Sequence, residues 1–282
     1  MQEVYTVSSL REAIRGLRAV GKRIALVPTM GALHSGHISL VEEAQKHADA
    51  VVVSIFVNPT QFGPNEDFSK YPRTLEGDMA LLHDAKASIA FVPSAEEMYQ
   101  KGAVTRVSVP TLSGILCGAV RPGHFDGVAT IVTKLFMQAL PDVALFGEKD
   151  YQQLTIIRQF TRDLDIPVQI IGVPTMREAD GLAMSSRNRY LTDEQRAIAP
   201  QMYKILTSLS SVIPAKAGVQ LDCTLNEAKS LLLATGFTKV DYVELRDAQT
   251  LASIETLNAP ARLLAAAHIG TTRLIDNSEI LP

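Results

Sequence analysis

Apolar residues alternate between two spacings along the first 175 positions of the chain. From Ser8 to Val20, Leu10, Ile14 and Leu17 recur at helical spacing, with Ser9 placed to cap the start. Arg23 to Pro28 is a short apolar run ended by a proline, which predicts a buried strand. A glycine-containing loop, Thr29 to Gly36, leads into a helix over His37 to His47, and Ala50 to Val57 is the clearest strand pattern in the chain. The alternation goes on: helix over Thr74 to Ala87, strand over Ile89 to Val92, a loop-rich stretch from Pro110 to Gly127, helix over Val128 to Leu140, strand over Val143 to Phe146, helix over Tyr151 to Asp163, strand over Val168 to Val173. Repeated alternation predicts an α/β fold, with a parallel sheet and crossover helices. In such sheets ligands sit beyond the carboxyl ends of the strands. The polar loops leaving the strands after Val27, Val57 and Phe146 should therefore meet at one edge.

From Asp193 onward the texture changes. A long helix over Asp193 to Ser211 is expected, then a small polar loop, a helix over Leu225 to Thr235, and strands over Val240 to Arg246 and Leu263 to Ile269. The division expected is 1–175 for a catalytic domain and 176–282 for a smaller C-terminal α+β domain.

Composition narrows the class. The chain has 282 residues, of which 46% are hydrophobic and 20% charged, and disordered or fibrous readings do not fit. With 27 basic and 30 acidic residues, a nucleic-acid surface is not suggested. Cys117 and Cys223 form no CxxC pattern, so a reducing compartment is the default. No secretory signal is visible at Met1 to Tyr5, and no apolar run is long enough for a bilayer. A cytoplasmic protein with no membrane partner is expected.

Five segments carry candidate chemistry. His34-Ser35-Gly36-His37 stands where a strand turns into a helix. Free N–H groups and the positive end of the helix dipole suit a phosphate there, Gly36 permits close approach, and imidazole N–H groups can donate to phosphate oxygens. A zinc reading of the two histidines lacks a third ligand at familiar spacing. Gly147-Glu148-Lys149-Asp150 follows a strand: Lys149 can neutralise phosphate charge, and Asp150 either accepts from ribose hydroxyls or caps the next helix. Met184-Ser185-Ser186-Arg187-Asn188 suits a mobile phosphate clamp. Asn58, Gln61, Gln152 and Gln153 offer neutral amides to hydroxyls and carboxylates. Arg121 to Gly127, with His124 inside it, is either a lid or a tight loop.

Taken in order, the segments Val27 to His37, Phe56 to Phe62, Tyr71 to Thr74, Arg121 to Phe125, Phe146 to Gln153, Asp180 to Asn188, Asp241 to Asp247 and Thr272 to Asn277 resemble the pantoate–β-alanine ligases. The HxGH element alone would reach only the wider nucleotidyltransferase superfamily. The resemblance implies a Rossmann-like domain, a smaller C-terminal domain acting as a lid, and a homodimer. It implies ATP-dependent condensation of pantoate with β-alanine to pantothenate, AMP and pyrophosphate through a pantoyl adenylate. By the same resemblance ATP is bound by Met30, Gly31, Ala32, Leu33, His34, Ser35, Gly36 and His37, by Gly147, Glu148, Lys149 and Asp150, near Met176, and by Met184, Ser185, Ser186 and Arg187. Gln61, Gln153 and Asn58 are the expected substrate-binding residues; His37, His34 and Lys149 are the expected catalytic ones. Mg2+ is expected with ATP, with Asp78 the protein group near it.

Pantoate's carboxylate is ionised at neutral pH and needs no general base to attack the α-phosphorus. Alignment and charge stabilisation should carry that step, with His37 acting mainly as a hydrogen-bond donor. Three rival readings are a nucleotidyltransferase acting on a phosphate ester, a class I aminoacyl-tRNA synthetase, and a non-catalytic nucleotide sensor. The first needs basic groups around the acceptor and the second a basic anticodon-binding segment. Intact His34, His37, Lys149 and Arg187 speak against the third.

Overall fold

A computed structural model describes residues 1–64, 66–213 and 220–282 of the chain. They form two compact units, one of residues 1–148 and 156–174, the other of residues 149–155 and 175–282.

The first unit is built on six parallel strands: β1 (Gln2–Val4), β2 (Ile24–Thr29), β3 (Ala50–Ile55), β4 (Ile89–Phe91), β5 (Val143–Gly147) and β6 (Gln169–Val173), in the order β1-β4-β3-β2-β5-β6. The α/β expectation with a Rossmann-like sheet holds. β2 and β3 are buried throughout, Pro28 excepted, because helices cover both faces of a parallel sheet. One core layer gathers Val27, Leu33, Val41, Val53, Leu82 and Leu145. From β2 the chain steps outward through β3 to β4, then returns to place β5 on the other flank of β2. The strand order reverses between β2 and β5, and a crevice opens beyond their carboxyl ends at such a switch point.

Pro28 has a part in that opening. β2 pairs with β3 along its whole length, Ile24 to Thr29, but with β5 only at Ala25 and Leu26. Proline has no N–H for a ladder. It sits in the half of β2 that has already parted from β5. The strand therefore runs one residue past the proline expected to end it.

Helix α1 (Val7–Ala19) is capped by Thr6, not Ser9. Thr6 Oγ1 accepts from the Ser9 N–H, and Ser9 Oγ accepts from the Thr6 N–H, each at 3.2 Å, so Ser9 is the reciprocal partner in a capping box. Helices α2 (Ser35–Ala44), α3 (Leu75–Asp84), α4 (Ala95–Met98), α5 (Pro110–Ser113), α6 (Cys117–Val120), α7 (His124–Ala139) and α8 (Tyr151–Asp163) follow. α7 begins four residues before the expected Val128, because Gly123, at φ +81°, turns the chain directly into it.

In the second unit, α9 (Asp193–Ile198), α10 (Gln201–Val212) and α11 (Gln220–Ala234) precede an antiparallel sheet of β7 (Lys239–Asp247), β8 (Ala261–Ile269) and β9 (Thr272–Ile280), in that order. The single helix expected over Asp193 to Ser211 is two, broken at Pro200, where the missing N–H and the ring oppose continuation. The polar loop expected after it lies largely outside the described residues. Leu206, Leu232, Val243, Leu263 and Ile269 form part of a separate core. β1 and β9 have no counterpart among the expected elements. β1 is too short to show alternation, and β9 buries Asp276 and Asn277 on what reads as a polar segment.

Candidate active site

The turn from β2 into α2 passes through two residues of positive φ, Gly31 at +78° and Ala32 at +50°. Glycine takes that region freely; alanine does so only when held. The holding group is Asp78, on the first turns of α3. Its Oδ2 accepts from the Ala32 N–H at 2.9 Å and its Oδ1 from the Leu33 N–H at 2.8 Å. Thr74 Oγ1 donates to Oδ1 at 3.0 Å, and Asp78 is 2% exposed. Thr29 Oγ1 accepts from the Gly31 N–H and donates to the Ser54 carbonyl, tying the turn back to β3.

This geometry delivers His34 in extended backbone at the start of α2. The His34 N–H donates to His37 Nδ1 at 3.3 Å, and the two rings lie 4.0 Å apart between centroids. With Nδ1 accepting, the proton of a neutral His37 ring resides on Nε2, which makes that atom a donor. Among the described residues no group of three or more His, Cys, Asp or Glu is placed to hold a metal ion.

Gln61 ends a 3₁₀ turn, Pro59–Gln61, beyond β3. It is 8% exposed; its Oε1 accepts from Asn58 Nδ2 at 3.0 Å, and its Nε2 lies 2.9 Å from Met30 Sδ. Asn58 is 1% exposed, and its amide is fully used: Nδ2 also donates to the Gly127 carbonyl, while Oδ1 accepts from Tyr99 OH at 2.8 Å and from Thr60 Oγ1 at 2.9 Å. Burial raises the Tyr99 pKa against the lowering effect of its hydrogen bonds with Thr60 and Asn58. A Cβ on Gly127 would stand 2.4 Å from the Thr60 carbonyl oxygen, so α7 approaches this turn only because the residue is glycine.

The Arg121 to Gly127 segment closes on the same turn. Arg121 Nε and Nη2 donate to the two oxygens of Glu66 at 2.8 and 2.6 Å, a bidentate pair. Burial works against ionisation of Glu66, but the hydrogen bonds and charge of Arg121 prevail and hold the carboxyl below its ordinary pKa. Arg121 Nη1 also reaches His124 Nε2 at 3.0 Å, which leaves His124 Nδ1 to donate to the Gln61 carbonyl at 2.7 Å. The segment, read from sequence as a lid or a tight loop, is here anchored to the Gln61 carbonyl by Arg121 and His124, and from His124 onward it is helix. Tyr99 and Glu66 were not singled out by spacing, since their partners Asn58 and Arg121 lie 41 and 55 residues away.

Gly147 and Glu148 stand at the carboxyl end of β5, next to β2 in the sheet. In the second unit, Lys149 Nζ lies 3.7 Å from Asp150 Oδ2, and Gln153 is half-buried on α8. Asn277 Nδ2 donates to the Lys149 carbonyl at 3.0 Å. Met176 and Met184 face each other across a short antiparallel pairing, with the Met184 N–H donating to the Met176 carbonyl at 3.0 Å. Gly181, at φ +95°, makes the reversal and leaves room for Tyr203. Arg177 anchors this hairpin on Asp276 at 2.7 and 2.9 Å. Ser185 Oγ accepts from the Arg187 N–H, and Ser186 is buried.

Comparison with known proteins agrees with the fold. The family model for pantoate-beta-alanine ligase matches residues 2–279. A pantothenate synthetase of Paramagnetospirillum magneticum is 58% identical over 279 residues, covering 99% of this chain and 98% of its own. That of Azotobacter vinelandii is 56% identical over 284 residues, with 99% of each chain covered. The crystal structure of pantothenate synthetase from Thermus thermophilus superposes with a TM-score of 0.93 at 46% identity over 100% of both chains. A Francisella tularensis pantoate-beta-alanine ligase, solved with beta-gamma ATP and beta-alanine, gives 0.82 at 36% identity, covering 99% of this chain and 97% of that one. With a Rossmann-like sheet, an HxGH turn at its switch point and this likeness along nearly all of its length, the chain belongs to the pantoate–β-alanine ligase family.

Proposed function

We propose that the chain joins pantoate to β-alanine at the expense of ATP, by way of a pantoyl adenylate. The observation that carries the reading is the His34 N–H bonded to His37 Nδ1, which presents His37 Nε2–H as a fixed donor at the switch-point turn. In the first step a pantoate carboxylate oxygen attacks the α-phosphorus. A new P–O bond forms, the α–β bridge breaks, and pyrophosphate leaves with the electron pair. The carboxylate is already ionised, so no base is needed, and the residues contribute alignment and charge stabilisation. The phosphates go to the turn from Met30 to His37 and to Gly147 and Glu148; the reading also assigns Lys149, Asp150, Met176 and Met184 to Arg187 to ATP. Gln61 and Gln153 take pantoate. Asn58, with its amide committed to protein partners, acts through Gln61 and not by touching pantoate itself. In the second step the β-alanine nitrogen attacks the acyl carbon, the C–N bond forms, and AMP departs as the nitrogen loses its proton.

Magnesium accompanies ATP in this reading and supplies charge neutralisation on the phosphates. It is usually held by one or two carboxylates with substrate phosphates and water, so a protein cage is not required. Asp78, the expected neighbour of the ion, fits that role poorly. Both its oxygens already accept hydrogen bonds from the turn. A homodimer, a cytoplasmic location and a lid role for the second unit belong to the same reading. Among the described residues no helix is long and apolar enough to cross a membrane, and Cys117 and Cys223 are not joined in a disulfide.

Pyrophosphate release from ATP tests the proposal. It should require pantoate, and multiple turnovers forming AMP should require β-alanine as well. Release with cytidine triphosphate in place of ATP, or none with pantoate present, overturns it.

A further inference from the structure

We infer that Asp78 is a positioning residue for the nucleotide turn, acting through the backbone of Ala32 and Leu33 and not as a magnesium ligand. The inference rests on the reading that ATP binds this turn. Four observations converge on it. Asp78 is 2% exposed, yet it lies in the first turns of α3, on a different element from the turn it serves. Its two oxygens divide between consecutive N–H groups, 2.9 Å to Ala32 and 2.8 Å to Leu33. Those two bonds pin the one non-glycine residue of the turn that has positive φ, Ala32. The residue before it is a glycine whose Cβ, if present, would stand 3.0 Å from Asp78 Oδ2 and 3.1 Å from Ile55 Cγ2.

The physical logic follows from the backbone. A turn that aims N–H groups and two imidazoles at a phosphate must present them without reorganising as the charge arrives. Left to itself, an alanine at φ +50° relaxes to the right-handed or extended region, since its Cβ crowds the following carbonyl. His34 follows two residues later, so a change at Ala32 swings both rings. A carboxylate that accepts from two adjacent N–H groups fixes this segment, and each bond is of the strong, charge-assisted kind. Thr74 Oγ1, at 3.0 Å from Oδ1, and the Asp78 N–H, donating to the Thr74 carbonyl at 2.8 Å, hold the carboxylate in turn.

The test is Asp78→Asn, assayed as pantoate-dependent pyrophosphate release with ATP and magnesium varied separately. Asparagine has one acceptor oxygen, so one N–H of the turn then faces an NH2 group. We expect kcat/KM for ATP to fall roughly tenfold or more. The free Mg2+ concentration for half-maximal rate should stay unchanged, and the conversion of preformed pantoyl adenylate with β-alanine should proceed within about twofold of wild type. Amide resonances of Ala32 and Leu33 should shift in the folded variant. Gly31→Ala, which crowds Oδ2 from the other side, should give the same pattern. Combined with Asp78→Asn it should cost less than the sum of the two. Should Asp78→Asn not fold, Thr74→Val carries the same pattern at smaller size. Recovery of the rate by excess Mg2+ makes Asp78 a metal group, and an unchanged kcat/KM for ATP makes it merely structural; either overturns the inference. If wild-type protein shows no ATP binding by calorimetry, the ATP reading itself has failed.

Discussion

His37 is defined by what its Nδ1 accepts. Because the His34 N–H occupies that atom at 3.3 Å, Nε2–H is the part of the ring that can serve a ligand, as a donor. Replacing His37 by Ala should lower single-turnover adenylation by about 100-fold or more, the scale on which loss of one oriented donor acts. His37→Gln keeps an N–H at similar reach and should lose less. The pH profile of that half-reaction should show no step in wild type that vanishes in His37→Gln; quench-flow measurement across pH 5.5–9 decides it. Such a step would make the ring an acid–base group. Asn58 shows the opposite limit: an amide wholly used by Gln61, Gly127, Thr60 and Tyr99 leaves it a supporting role.

At the scale of elements, the docking of α7 on the Pro59–Gln61 turn depends on one absent side chain. Gly127→Ala brings a Cβ to 2.4 Å from the Thr60 carbonyl oxygen and 2.7 Å from the Gln61 N, so helix or turn must move. Overpacking of this kind costs about 1–3 kcal/mol. We expect a lower melting temperature together with a raised KM for pantoate. A lower Tm with unchanged KM would show that Gln61 is placed independently of α7. In the second unit, Asn277 donates from β9 to the Lys149 carbonyl. Asn277→Ala should therefore impair adenylation more than the conversion of preformed adenylate; equal loss in both would assign Asn277 to stability alone.

For the molecule as a whole, acid stability has an identifiable contributor in the C-terminal sheet. Asp241, its side chain 2% exposed, receives Arg273 Nε at 2.8 Å and Lys239 Nζ at 2.8 Å. Burial resists its ionisation, but these hydrogen bonds and the charge of Arg273 outweigh that and bring the pKa from 3.8 down to about 2. A carboxyl whose folded pKa is depressed contributes stability above its unfolded value, and the contribution disappears as pH falls through the folded one. The contribution is on the order of 2 kcal/mol at neutral pH. Asp241→Asn should thus reduce Tm at pH 7, and the gap from wild type should narrow between pH 4 and pH 2. A gap that stays constant over that interval would show that Asp241 does not titrate as described.

Two kinds of information separate cleanly here. Local physics is written in the sequence: apolar runs such as Ala50 to Val57, the proline and glycines around the HxGH turn, and the ordered family segments identify the α/β class, the strand-to-helix turn and the ligase family. These are properties of near neighbours, and near neighbours share a window of sequence. What spacing alone does not reveal is which distant group holds the turn. Asp78 lies 45 and 46 residues from its N–H partners, Gly127 lies 69 from Asn58, and Arg121 lies 55 from Glu66. A buried acceptor is specified by the donors around it, and those donors arrive only when the chain has folded. For the same reason Ser9 reads as a cap until Thr6 is seen to precede the helix, and β9 reads as polar until Asp276 is found beneath Arg177. The sequence thus determined that His34 and His37 stand where a strand turns into a helix, the place to which we assign the phosphates; the tertiary structure decided, through a single buried carboxylate, how that turn is held.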